Sequence, residues 1–445
     1  MNNTRRDFIK QSSATVGGVV GASTLQAAED QDATGGSHKP TLVVIYLRGG
    51  MDPLNVIVPY TDPMYYQLRP TISIPARDGD NQKGCLPLNN QFGLNPNLEA
   101  LYPYFKNGMV APIINAGSTH RTRSHFDAQD FMERAAPGVK SITEGWLNRY
   151  LTATKTADDS PLRAIAMRPT LPRSLRGEYP VLAVPGPGSE HAMSAFEDFY
   201  NTMGMDQTDQ EQKFQTSKPG GRISDKTKLY WKASVDEATS RNKIISSGHN
   251  TIVQLRELNR IFAGGSRNAI AYPRGHVGDQ LKHIAKVIKA NKGLEIAAVD
   301  YNGWDHHIYQ GGVEGKMADM LRHVGNSVAA FMEDLGSHAK RTMVLCMSEF
   351  GRTVAENGNN GSDHGHGGMM LAIGGSVKGK QIYGKWTGLH KRALWEGRDL
   401  PVHTDFRIVF AETLYKMFGF STAKHNFFPG YRVTGKPVDF MDSMT

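Results

Sequence analysis

Four stretches of the chain gather side chains that could do chemistry. Asp52 follows a Gly-Gly pair, and "STHRTRSH" (118–125) carries His120, Ser124 and His125 among Arg121 and Arg123. "WDHH" (304–307) carries Asp305, His306 and His307, and "SEFGRTVAENGNNGSDHGHGG" (348–368) carries Glu349, Arg352, Asp363, His364 and His366. Carboxylates and imidazoles without thiolates suit a divalent zinc or manganese ion better than a structural zinc site. The candidate ligands are Asp52, Asp305, His307, Glu349, Asp363, His364 and His366. They are too many for one tetrahedral ion. One or two ions are expected, with two clamping the attacking and leaving oxygens of an ester. Glycines around His364 and His366 let the backbone come close. A loop so rich in Gly and Asn has little order of its own, so its structure is expected to depend on the metal.

Each residue also has an ordinary role open to it. Asp52 could cap the next segment, Glu349 could pair with Arg352, and Ser124 could cap a helix. Ser124 could instead be the nucleophile, because a helix N-terminus stabilises an anion. Arg121, Arg123 and Arg352 could hold an anionic substrate or make surface ion pairs. His306 alternates with His307 and would face away.

Apolar runs at 41–47, 109–117, 294–301, 341–350 and 368–375 read as buried strands. Between them, 95–108, 124–135, 277–293, 316–339 and 405–420 have helical spacing. Alternating strands and helices predict an α/β fold, with a mainly parallel central sheet and helices on both faces. In such sheets ligands bind outside the carboxyl ends of the strands. The four stretches fall at those ends or lead into a strand.

The 445 residues are 39% hydrophobic, enough for a large core. A net charge of +8, not gathered into a basic run, argues against nucleic acid as a partner. Two cysteines, Cys85 and Cys346, make no disulfide framework. "TRRDFIK" (4–10), followed by the weakly apolar "SSATVGGVVGASTL", reads as a twin-arginine signal over residues 1–28. The expected partner is the twin-arginine export machinery, and the expected location is the periplasm or beyond. The apolar stretch is too short for a stable membrane anchor. A linker (29–40) leads to one domain, 41–445, with a polar helical insertion at about 186–265.

In order along the chain, "LRGGMDPLNVIVPYTDPMYYQLRP", "TRSHFDAQDFME", "GWLNRYL", "YNGWDHHIYQ", the 348–368 stretch and "HTDFRIVFAETL" resemble an exported bacterial family catalogued as domain of unknown function 1501. That family resembles the alkaline phosphatase and sulfatase superfamily, and usually carries a twin-arginine signal. The resemblance implies an alkaline phosphatase-like fold and metal-assisted phosphoryl or sulfuryl transfer. It puts Asp52 at the first-strand metal carboxylate, Ser124 at the nucleophile, and Asp305 with His307 at one metal. Glu349 and Phe350 stand where most members have Asp-His, so His364 or His366 would supply the missing imidazoles. "CLPLN" (85–89) lacks the arginine of a sulfatase maturation frame and lies in the wrong place, which argues against a formylglycine enzyme. The implied activity is hydrolysis of an anionic phosphate or sulfate ester, with Arg352 on its oxygens and Ser124 or a metal-held water attacking. The alternative is a non-catalytic metal-binding protein of the same fold, acting in export or cell-surface assembly.

Overall fold

The computed structural model of the protein describes residues 39–78, 83–184, 254–264, 270–425 and 427–445. The expected signal segment, nearly all of the linker and most of the expected insertion lie outside them. The chain divides into two units, Met1–Ala183 with Ser266–Thr445, and Val184–Gly265. In the second, the described residues form a helix at 254–263.

The first unit is built on an eight-stranded sheet. Its strands are β1 (Thr41–Arg48), β2 (Val110–Gly117), β3 (Ala164–Ala166), β4 (Leu182–Ala183), β5 (Ile296–Asn302), β6 (Thr342–Met347), β7 (Gly368–Gly374) and β8 (Thr404–Asp405). Their spatial order is β8-β2-β7-β6-β1-β5-β3-β4. Every pairing is parallel except those of β7, which runs against both β6 and β2. The main helices are α1 (His125–Arg134), α2 (Trp146–Ala153), α3 (His276–Lys289), α4 (Lys316–Leu335) and α5 (Phe406–Phe418).

Alternation along the strands buries both faces of the sheet. Leu42, Val44 and Tyr46 of β1 share a core with Trp146 of α2 and with Phe406 and Phe410 of α5. On the other face, Leu47, Cys346 and Leu371 meet Leu321, Val324 and Val328 of α4. The register aligns the site. Tyr46 lies beside both Asp300 and Met347, so β1, β5 and β6 end together. Because β7 is antiparallel, the residues leading into it arrive at that same edge. Asp363 and His364 therefore join residues that follow the parallel strands.

The expected helix over 95–108 is broken. A 3-10 turn, Pro96–Leu101, with Leu98 outside helical geometry, gives way to a separate short helix, Tyr102–Lys106. Pro103 lacks the N–H that a continuous helix needs and crowds the preceding turn. β3, β4 and β8 have two or three residues each, too few to show a periodicity. Cys85 and Cys346 are buried free thiols.

Glu295, at the entry to β5, is buried among Lys39 Nζ (2.8 Å), Arg163 (2.9 Å) and the Tyr150 hydroxyl (2.9 Å). Burial pushes its carboxyl pKa up, but Arg163 and Lys39 outweigh this and hold it below the ordinary value. A carboxyl lowered in the folded state adds stability above its unfolded pKa and loses it as pH falls. Glu295→Gln should therefore melt below wild type at pH 7, and the gap should narrow below about pH 4.5. Melting curves from pH 3 to 7 check this. A gap that stayed constant would mean that the ion pairs contribute nothing.

Candidate metal centre

α1 begins at Ser124, whose backbone is extended (φ −84°, ψ 123°) and whose side chain makes no capping bond. His125 is thus the first helical residue, with Gln129 and Glu133 following at spacings of four on one face. His125 Nδ1 lies 2.7 Å from Glu349 Oε1, and Gln129 Nε2 donates to the same oxygen at 2.9 Å. Glu349 is 1% exposed and also accepts from Gly49 N (2.8 Å) and Ser348 Oγ (3.1 Å). Burial opposes its charge, yet the bonds from His125 and Gln129 hold its carboxyl below the ordinary range.

Asp305 follows β5. Its Oδ1 lies 2.6 Å from an Arg352 guanidinium nitrogen, 3.1 Å from His307 Nε2 and 3.2 Å from His364 Nε2. Its Oδ2 lies 3.4 Å from His125 Nε2. Burial raises the carboxyl pKa, but Arg352 first, then His307 and His125, bring it to about 2. His307 turns Nδ1 to Asp363 (3.0 Å), and its Nε2 faces His364 Nε2 at 2.9 Å. His364 Nδ1 donates to the Arg123 carbonyl at 2.7 Å. Burial and then His125 lower its pKa, which favours the neutral ring.

Three imidazoles therefore share one arrangement. Each ties Nδ1 to an oxygen and leaves Nε2 facing Asp305. Histidines that ligate metals are usually held in this way through the far nitrogen. His125 Nε2 is closed off from solvent and has no hydrogen-bond partner among the described residues. Burial lowers the His125 pKa, but Glu349 and then Asp305 raise it above the ordinary value overall. Ligand atoms of His125, Asp305 and His364 lie within 4.8 Å of one another. The donor set fits a divalent cation such as zinc, which takes imidazole nitrogen and carboxylate oxygen at about 2 Å.

Of the seven expected ligands, Asp305, His307 and His364 converge. Glu349 and Asp363 stand behind them, each bonded to an imidazole Nδ1. Asp52 is elsewhere. It is 1% exposed, and its oxygens are occupied by Arg69 (2.5 and 3.1 Å), Gln310 (2.7 Å) and Leu54 N (3.2 Å). It caps the turn Pro53–Asn55, the ordinary role open to it. His366 is also elsewhere, stacked on Trp395 at 4.1 Å. Burial, then Arg123, bring its pKa down to about 4. Arg352 does not face a substrate. It is 1% exposed and donates to the carbonyls of Gly49, Gly50, Trp304 and Ser362 as well as to Asp305. Ser124 is exposed, between Arg123 and His125, both of which contact the centre. The Arg123 guanidinium binds Asp399 (2.7 Å) and Glu396 (2.8 Å), so its carbonyl is the part that serves His364. His306 is buried with Nε2 unpartnered, and burial first lowers its pKa to about 4.

His125 is missing from the expected ligands. The signal for it was the His125–Gln129–Glu133 spacing, a polar stripe on a helix starting at a strand end. The glycines of 348–368 answer to close contacts. A Cβ on Gly361 would lie 2.4 Å from the His307 carbonyl carbon, and one on Gly365 would lie 2.4 Å from that of Arg352. Residues 351–353 pair with 363–366 as a short ladder, which brings His364 back beside Arg352.

No curated protein matches the sequence. Among solved structures, the chain is similar to the C-terminal periplasmic domain of EcEptC from Escherichia coli, in complex with Zn. The identity is 9%, the TM-score 0.31, and the match covers 76% of this chain and 74% of that one. It is also similar to the PsFucS1 sulfatase from Pseudoalteromonas sp., at 12% identity and a TM-score of 0.31, over 91% of this chain and 70% of that one. Residues 106–426 match a family described as "Protein of unknown function (DUF1501)". That span holds His125, Asp305, His307 and His364 but not Asp52, and by it the chain belongs to the DUF1501 family.

Proposed function

We propose that the protein is a hydrolase of phosphate or sulfate esters working on one divalent ion, zinc or manganese, held by His125, His307, His364 and Asp305. The observation that carries this reading is the convergence of three Nε2 atoms on one carboxylate, with every Nδ1 held by an oxygen. A bound cation there would polarise an ester oxygen and offset its charge. Glu349, Asp363 and the Arg123 carbonyl orient the imidazoles, and Arg352 orients Asp305. Ser124 is the nucleophile in this reading. It is exposed, its hydroxyl is not used for capping, and it sits at the N-terminus of α1, whose free amides favour an anion.

A specific observation favours the alternative of a non-catalytic metal-binding protein acting in export or surface assembly. Glu349 is buried and fully bonded, with Phe350 beside it, so a second ion has no ligand there. The mature protein should bind about one zinc or manganese ion per chain, and fewer than about 0.2 after reconstitution would sink both readings. A panel of phosphate monoesters, phosphate diesters and sulfate esters separates them. Asp305→Asn should abolish hydrolysis in a protein that still melts cooperatively. Ser124→Ala should lower kcat by about a thousandfold or more. Full occupancy with no turnover on any ester would leave the binding reading standing.

We also propose twin-arginine export, on the Arg5–Arg6 pair; no helix among the described residues is long and apolar enough to cross a membrane. Replacing both arginines with lysine should leave precursor in the cytoplasm, because the signal is read by a receptor. Fractionation showing an unchanged exported yield would point to another route.

A further inference from the structure

The polar stripe of α1 has a second side. Gln129 gives its Nε2 to Glu349, behind His125, and its Oε1 accepts from Arg48 at 3.0 Å in the wall of a cavity of about 190 Å³. One amide therefore separates this cavity from the metal centre. Its lining includes four arginines, Arg48, Arg168, Arg173 and Arg176, and one carboxylate, Glu133. Arg48 is fixed by Glu133 (3.1 Å) and Asp300 (2.8 Å), and Arg168 also pairs with Asp300. Arg173 reaches Asp130 at 2.5 Å, but Asp130 also serves Arg134 at 3.0 Å. Arg176 is exposed, and its Nε donates to the Leu171 carbonyl at 3.0 Å. Among the described residues, three carboxylates thus answer five guanidinium groups. The crowding of charge is felt at Arg168, whose pKa is lowered by burial and then by Arg48. Phe126, in the first turn of α1, stands 84% exposed at the cavity.

We infer that this cavity is a second anion subsite, and that the substrate is an ester carrying another anionic group, a carboxylate, sulfate or phosphate, seated by Arg168, Arg173 and Arg176. The inference deepens the proposed function and rests on it for the placement of the ester. Guanidinium groups offer paired donors that match two oxygens of an oxyanion. Excess positive charge in a partly enclosed cavity concentrates anions. The exposed Phe126 ring lines the cavity, two residues after Ser124 in the chain, and supplies an apolar face for the part of the substrate that joins its two anionic groups.

Calorimetric titration of inorganic sulfate into the full chain tests the subsite without needing turnover. Wild type should bind saturably. Arg173→Gln with Arg176→Gln should weaken binding by at least about tenfold, since a hydrogen bond to a charged group contributes about 1.5–3 kcal/mol. Arg176→Gln alone, which removes one exposed side chain and a single carbonyl bond, guards against a double variant that fails to fold and should weaken binding measurably. Arg176→Lys should restore part of it, and His364→Ala should leave it within about twofold of wild type. The subsite is overturned if sulfate shows no saturable binding, or if binding is lost in His364→Ala and kept in the arginine variants. With an active protein, the arginine variants should raise KM for bis-anionic esters and not for mono-anionic ones. A protein that binds sulfate through the arginines yet hydrolyses nothing would refute the hydrolase and keep the anion site.

Discussion

Chelation is expected to lower the melting temperature by about 5 °C, and His364→Ala should do the same without chelator. A ligand bound only to the folded state stabilises it by RT ln(1 + [L]/Kd), about 4 kcal/mol at a thousandfold excess over Kd. Unfolding entropy of about 2.1 cal/mol/K per residue over roughly 400 residues converts this to about 5 °C. His364 matters because its ring contacts both His307 and Asp305, and its Nδ1 ties the start of α1 to the 348–368 loop. The structure narrows the expectation that the whole loop depends on the ion. The tip is held by its own bonds. Asn357 Oδ1 accepts from Asn359 N (2.9 Å) and Gly361 N (3.1 Å), and Tyr309 N and Gln310 N donate to the carbonyls of Asn359 and Asn360. Protease cleavage at 357–361 should therefore stay at the wild-type rate after chelation, while cleavage before α1, near Arg121–Ser124, should increase. An unchanged melting temperature, with metal removal confirmed by elemental analysis, would withdraw the centre.

The fold was legible where buried strands are long. The five apolar runs became β1, β2, β5, β6 and β7, because stretches of six to eight residues in which apolar side chains predominate fit a sheet covered on both faces. Strand direction was not legible. No local pattern in "GMMLAIGG" says that β7 runs against its neighbours, yet that reversal carries His364 to the site. The residues at the strand ends were found by position alone. What position could not decide was which of them face one another. Asp52 and Asp305 both follow a buried strand, but Arg69, 17 residues beyond Asp52, together with Gln310 and Leu54 N, occupies the oxygens of Asp52. His364 and His366 both suited a ligand, and the ladder between 351–353 and 363–366 sets one toward Asp305 and the other against Trp395. His125 was hidden by Ser124, since a helix start draws attention to the capping position and not to the ring after it.

Replacing Arg352 should unfold or severely destabilise the protein and, in whatever remains folded, weaken metal binding. Its guanidinium is the hub on which three strand ends meet: Gly49 and Gly50 after β1, Trp304 and Asp305 after β5, and Ser362 in the loop before β7. Arg352→Ala leaves four carbonyls without this donor, at about 1–3 kcal/mol for each that water cannot reach. It also takes the partner from Asp305. Removing one member of a buried ion pair typically costs about 3–5 kcal/mol, although Asp305 is 42% exposed and its share is smaller. Arg352→Lys keeps the charge, but an ammonium has three donors at one point and cannot span acceptors on three segments, so it should recover little. Arg352 is then a positioning residue, and its effect on the metal separates that role from simple support of the fold. With Arg352 gone, Asp305 loses the largest influence lowering its pKa and the bond that fixes its carboxylate. Zinc affinity measured by competition with a chelator, below the melting transition of the lysine variant, should fall by at least about tenfold. If the lysine variant melts lower yet binds zinc as tightly as wild type, Arg352 supports the backbone alone and Asp305 is held by the histidines.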